Sequence, residues 1–172
     1  MKTLIFDISH LVQKPTGSSE IYTFEGPAKF DEIDTKSDIS GKVKIMRIEE
    51  GVNVELKEAK LKISLNCDRC LKKITYLITL EPTERQFLFE KPGEIDDIND
   101  LYLIDKKHLN IDLTEMMRQE ILLHFPINPV CSLHCKGVCA YCGIDKNKRK
   151  CSCKEEIPKA DNPFEKLKEL IK

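Results

Sequence analysis

A chain of 172 residues, 41% hydrophobic and 33% charged, is long enough for one core with an appendage and has the make-up of an ordinary globular protein. Its longest apolar runs are a few residues, far short of the roughly 20 that a bilayer span needs, so no membrane partner is expected. The formal net charge of −1 gives no overall electrostatic case for binding nucleic acid.

The opening "MKTLIFDISHLVQ" has one early Lys and an apolar run broken by Asp7. It lacks the h-region and cleavage site of a secretory signal, and the chain is expected to be cytoplasmic. Residues 2–8 read as a strand ended by the turn-rich "PTGSS", and residues 21–26 as a short second strand. From 41 to 67, apolar and polar residues alternate at period two. Val52, Val54 and Leu56 share one face, and Leu61, Ile63 and Leu65 continue the alternation after a phase shift near Ala59, which marks a β-bulge. "LKKITYLITLEPTERQFLFE" reads as another long strand, and "CDRC" at 67–70 therefore falls at the turn of a hairpin. Residues 91–110 are acidic and loop-like, with a short strand over 101–104.

"DLTEMMRQEILLHFP" reads as a helix with Asp112 as N-cap and Glu115 three positions on, a capping-box arrangement. Leu113, Met116, Met117 and Ile121 form its apolar stripe, and Pro126 ends it. In the tail, "DNPFEKLKELIK" offers Asn162 as N-cap, Pro163 at N1 and an apolar face of Phe164, Leu167, Leu170 and Ile171. The expected architecture is α+β: an antiparallel β-sheet body with a covering helix over 1–125, a small zinc-ordered cysteine-rich module over 126–154, and a linker with a terminal helix over 155–172.

Six of the eight cysteines fall between 131 and 153. In a reducing compartment, clustered cysteines are more often metal ligands or redox groups than disulfides. The larger apolar residues between Pro126 and Lys154 are Ile127, Val130, Leu133, Val138, Tyr141 and Ile144. Six such side chains cannot order about thirty positions, each costing about 1.5 kcal/mol of conformational entropy. One structural zinc, with an apparent binding free energy of about 10–16 kcal/mol, can.

Spacing suggests how the thiols divide. Cys139 and Cys142 form a CxxC knuckle followed by Gly143, and eight residues later Cys151 and Cys153 supply a CxC pair, making one locally closed set. Cys131 and Cys135 are then left to join Cys67 and Cys70 in a second set, for two zinc ions in all. A CxxC on a hairpin turn suits a metal better than redox chemistry, which draws its low thiol pKa from a helix N-terminus. An iron–sulfur cluster is the chemical alternative. The CxxxCxxC spacing of Cys135, Cys139 and Cys142 matches radical-SAM enzymes, but those need a barrel larger than this chain builds. His134 stands between two cysteines and reads as a solvated imidazole.

Residues 131–154 carry six cations against Asp145 alone, a formal +5 that leaves −6 on the remainder. The run Lys146, Lys148, Arg149 and Lys150 offers candidate phosphate contacts for nucleic acid, and reads equally as a solvated turn. No phosphate-binding glycine loop, metal-hydrolase motif or catalytic triad stands out, and the chain is expected not to be an enzyme.

Four stretches in order, "CDRCL" at 67–71, "IDLTEMMRQEILLHFPINPVC" at 111–131, "CKGVCAYCGIDKNKRKCSC" at 135–153 and "DNPFEKLKEL" at 161–170, resemble the YceD family of large ribosomal RNA subunit accumulation proteins. Ile144-Asp145 replaces the family's usual Leu-Asn. The resemblance implies a non-enzymatic factor for accumulation or processing of large-subunit (23S) ribosomal RNA and for ribosome biogenesis, with that RNA or a ribosomal protein as partner. Rival readings of the same residues are a redox-active thiol or zinc-switch protein, and an interaction adaptor that contacts no RNA. The sequence assigns no oligomeric state.

Overall fold

The computed structural model describes residues 3–91 and 102–153. In chain order these form β1 (Ile5–Asp7), α1 (Ser9–Val12), β2 (Ser19–Gly26), β3 (Ile39–Ile48), β4 (Gly51–Asn66), β5 (Lys73–Leu80), β6 (Thr83–Leu88), β7 (Tyr102–Leu103), β8 (Asn110–Asp112) and α2 (Thr114–Leu123). The result is a mostly antiparallel sheet with two helices, in line with the α+β expectation.

The 16-residue β4 organises the sheet. β2, β3 and β4 form an antiparallel meander along one edge of it. Its other edge is shared: the first part, from Gly51 to Leu56, pairs with β6, and the last part, from Ala59 to Asn66, pairs with β5. β7 adds to β6 in parallel, and β1 with β8 makes a separate two-stranded sheet. Gly51 is required where β6 crosses close to β4, because a Cβ there would collide with the Phe87 carbonyl.

The bulge lies where the alternation breaks. Lys42 pairs with Glu58 and Val43 with Leu56, so Lys57 is the additional residue on β4. It flips the parity of the strand, and Val52, Val54 and Leu56 before it point into the same core as Ala59, Leu61 and Ile63 after it. Against them pack Ile45 of β3, Ile78 and Leu80 of β5, Ile111 of β8 and the Leu113, Met116, Met117 and Ile121 stripe on α2, all almost fully buried. At about 1.5–3 kcal/mol for each large side chain removed from water, this cluster is what holds the body together. Glu120 is the exception on that face, and its carboxylate is matched by Arg85 Nη2 at 2.6 Å and the Thr83 hydroxyl at 3.3 Å.

Several boundaries differ from the sequence reading. The long strand expected over 71–90 is two strands, interrupted at Glu81-Pro82, where Pro82 has no N–H to donate to a ladder. The helix begins one residue later than its capping signal: Asp112 is still paired with Ile5 in β8. Its Oδ1 nevertheless accepts the Thr114 N–H at 2.8 Å, while Glu115 turns to Arg118 and Gln119 instead of closing a capping box. The strand expected over 101–104 is Tyr102–Leu103. α1, with Leu11 buried, had no periodic signal of its own. The expected tail helix at 162–171, and Lys154, lie outside the described residues.

Candidate metal centres

The β4–β5 hairpin turns through residues 67–72. The Leu71 N–H donates to the Cys67 carbonyl at 2.8 Å, the Cys67 N–H donates to the Lys72 carbonyl at 2.9 Å, and Leu71 takes a left-handed φ of 60°. Residues 139–144 repeat this turn bond for bond. Gly143 donates to the Cys139 carbonyl at 2.9 Å, Cys139 donates to the Ile144 carbonyl at 2.9 Å, and Gly143 has φ 68°. Each CxxC is thus held with both sulfurs on one side of a tight turn.

All eight cysteines are free thiols, and their sulfurs gather in two groups of four. Cys67, Cys70, Cys131 and Cys135 lie within 4.8 Å of one another, as do Cys139, Cys142, Cys151 and Cys153. These are the two sets that spacing suggested. Within the first, the sulfurs of Cys67 and Cys135 are 3.8 Å apart and those of Cys70 and Cys131 3.6 Å, across sequence separations of 68 and 61 residues. Four thiolates around one tetrahedral ion with metal–sulfur bonds of about 2.3 Å stand about 3.8 Å apart. Both groups could therefore hold a metal ion. His134 is exposed and belongs to neither.

The bridging set is fastened by more than sulfur. Asp68 donates its N–H to the Pro129 carbonyl and Val138 to the Arg69 carbonyl, both at 2.9 Å. The Arg69 guanidinium reaches the Cys135 carbonyl at 3.2 Å. Gly137, at φ 72°, lets the chain pass so close to Arg69 that a Cβ would stand 2.9 Å from its carbonyl oxygen. Ile74, Val130 and Val138 pack on the buried Cys67, Cys70 and Cys135.

Asn147, hidden within the basic run, is a residue that the sequence reading missed. Its side-chain oxygen accepts the Lys136 N–H at 2.8 Å, and its amide nitrogen lies 3.4 Å from the Cys135 sulfur and 2.7 Å from Asp145 Oδ1. It sits in the loop that closes the local set and touches a sulfur of the bridging set. Nothing in a lone Asn among lysines signals that role.

The thiols are not equivalent. Burial resists ionisation of Cys67, but the N–H groups of Cys131, Cys70 and Arg69 outweigh it and lower its pKa to about 6. The N–H groups of Cys142 and Tyr141 likewise bring Cys139 to about 6. Cys131, hydrogen-bonded to Cys135, is pushed up to about 12, and Cys153, bonded to Cys142, to about 11. Four sulfurs this close share protons unless a cation balances their charge, so loading either set with metal expels protons.

Beyond the sulfurs, Lys148, Arg149 and Lys150 are exposed and Lys146 is half-buried on a turn built on Asp145, whose carbonyl accepts the N–H groups of Lys148 and Arg149. Lys146, Arg149 and Lys150 join Lys136, Tyr141 and three cysteines of the local set, Cys139, Cys151 and Cys153, around a cleft of about 400 Å³. Lys148 stands outside it. Among the described residues, no helix is long and apolar enough to cross a membrane.

A family model described as "Large ribosomal RNA subunit accumulation protein YceD" matches residues 57–171, a span that takes in β5, α2 and all eight cysteines. The Arabidopsis thaliana protein "Large ribosomal RNA subunit accumulation protein YCED homolog 1, chloroplastic" is 33% identical over 135 residues, covering 63% of this chain and 42% of its own. The chain thus spans less than half the length of that relative. No solved structure matches it.

Proposed function

The chain belongs to the YceD family, and from that premise we propose that it is a non-enzymatic factor which binds large-subunit ribosomal RNA during ribosome biogenesis, using a tip ordered by two zinc ions. The observation that carries this reading is the placement of the basic run. Lys148, Arg149 and Lys150 project from a loop pinned at both ends by the local sulfur set and tied internally by Asn147 to the bridging set. Cations on so fixed a scaffold meet a phosphate backbone with little loss of conformational entropy.

Zinc is proposed for both sets because cysteine-only tetrads on tight knuckles are its usual structural sites. An iron–sulfur cluster, the alternative, would declare itself by colour. Purified protein should contain about two zinc ions per chain on the expectation of four ligands for each, and no visible absorbance. The cytoplasm is the proposed place of action for this chain, with the chloroplastic relative as a counterpart in another compartment.

The test is the quadruple variant Lys146→Ala, Lys148→Ala, Arg149→Ala and Lys150→Ala. It should keep its fold and metal content but no longer sediment with precursors of the large subunit. Undiminished sedimentation would sink the basic-run assignment, and crosslinks to protein alone would favour an adaptor that contacts no RNA. Zinc-free protein whose thiols cycle between dithiol and disulfide would favour the redox reading.

A further inference from the structure

We infer that the cleft beside the local cysteine set is a nucleotide pocket, which receives one unpaired nucleotide of single-stranded RNA and gives this tip a preference for single strands over duplex. The inference rests on the RNA-binding reading above and names the site and the kind of RNA.

Four cations, Lys136, Lys146, Arg149 and Lys150, surround the cleft, and among the described residues no carboxylate lines it. The acid nearest in sequence, Asp145, has Oδ1 turned to the N–H and amide of Asn147. Lys146 takes part in a further interaction of its own, but the three cations Lys136, Arg149 and Lys150 still exceed the net −2 that four thiolates around one divalent metal would carry, which favours an anion. A surface lysine cluster alone would suit any polyanion. The cleft adds shape: about 400 Å³ lies at the small end of ligand pockets, a volume on the scale of a single nucleotide and too small to take in a helix of RNA.

Tyr141 adds chemistry. It lies between the two cysteines of the local knuckle, a position fixed by the turn, and the residue is more than half exposed at 57%. A base can stack on such a ring only when it has left its own stack, which single strands and loops allow and continuous duplex does not. Cations for the phosphate and an aromatic face for the base thus meet in one concavity. Lys136, outside the basic run, becomes a phosphate contact by the fold alone.

The experiment compares a fluorescein-labelled, unstructured 12-nucleotide RNA with the same sequence annealed to its complement, by anisotropy on the metal-loaded full chain at several salt concentrations. The single strand should bind more tightly. Lys136→Ala should lower the slope of log affinity against log salt for the single strand by about 0.7, one phosphate contact. Tyr141→Leu should weaken single-strand binding about fivefold or more and erase the preference, while Tyr141→Phe retains it. Both sites are exposed, so the variants should fold with unchanged metal content. Lys148→Ala, outside the cleft, should weaken both RNAs alike. Equal affinity for strand and duplex, or a preference that survives Lys136→Ala and Tyr141→Leu, would overturn the pocket while leaving RNA binding in place. Absence of binding to either RNA would overturn both.

Discussion

Residues 67–72 and 139–144 make the same turn with the same two backbone hydrogen bonds, yet the sulfurs that complete each set come from very different distances. Cys151 and Cys153 follow the second knuckle after a short loop. Cys131 and Cys135 meet the first only because the sheet has already brought the β4–β5 hairpin to residues 129–138, more than sixty positions on. One turn therefore serves two purposes. Where the partners are local, a bound metal would do the ordering that six apolar side chains cannot. Where they are distant, the body preorganises half the site, and a metal there would fasten two parts already joined by hydrogen bonds at Asp68, Arg69 and Val138.

The largest effect that separates the two comes from removing one sulfur from each. Cys67→Ser should reduce metal from about two to about one per chain and leave the local set filled. Because it loosens the fastening, residues 126–138 should become open to protease and to rapid amide exchange. Cys142→Ser should also cost one metal, but with residues 67–70 and 129–138 still protected, since the bridging set has its own four sulfurs. If either variant lost both metals at once, the sets would be one cooperative unit and the distinction would fail.

The same contrast explains what could be read in the sequence. The partition of the eight thiols follows from spacing, because CxxC and CxC pairs leave few ways to arrange four and four. The bulge at Lys57 was visible as a slip in alternation, a direct consequence of strand geometry. What escaped depends on contacts that no local pattern encodes. Asp112 pairs with Ile5 across the molecule, and this strand pairing delays the helix that its side chain announces. Asn147 reads as one more polar residue until the fold lays Cys135 and the Lys136 N–H beside it. Lys136 joins the basic cleft for the same reason.

Acid should sharpen the comparison further. In the metal-free sets Cys67 and Cys139 ionise near about 6, while Cys131 and Cys153 keep their protons up to about 12 and about 11. Metal demands thiolates throughout, so loading releases protons and affinity falls as pH falls. Three sulfurs of the bridging set are buried, but only Cys139 is buried in the local one. Water and chelator reach the local set first. Lowering the pH from 7 to 4 with a zinc-sensitive dye present should release metal in two steps, with the step lost in Cys142→Ser preceding the one lost in Cys67→Ser. A single step, or the reverse order, would mean that exposure does not control release.

The smallest effect concerns the one residue by which the turns differ in backbone cost. Gly143 occupies the left-handed position of its knuckle without penalty, whereas Leu71 holds the equivalent φ of 60° with 68% of its surface in solvent. A side chain bearing a Cβ costs roughly 1–2 kcal/mol in that region, and so exposed a leucine recovers little of it through packing. Leu71→Gly should accordingly stabilise the hairpin turn. The gain is reduced by the entropy that glycine adds to the unfolded chain, leaving about 0.5–1 kcal/mol and a rise of a few degrees in melting temperature. Gly143→Leu should do the opposite at the local set, weakening metal retention without lowering the melting of the sheet. If Leu71→Gly instead lowered stability, the exposed leucine would have to be making a contact that outweighs its backbone strain, and the two knuckles would differ in more than the origin of their sulfurs.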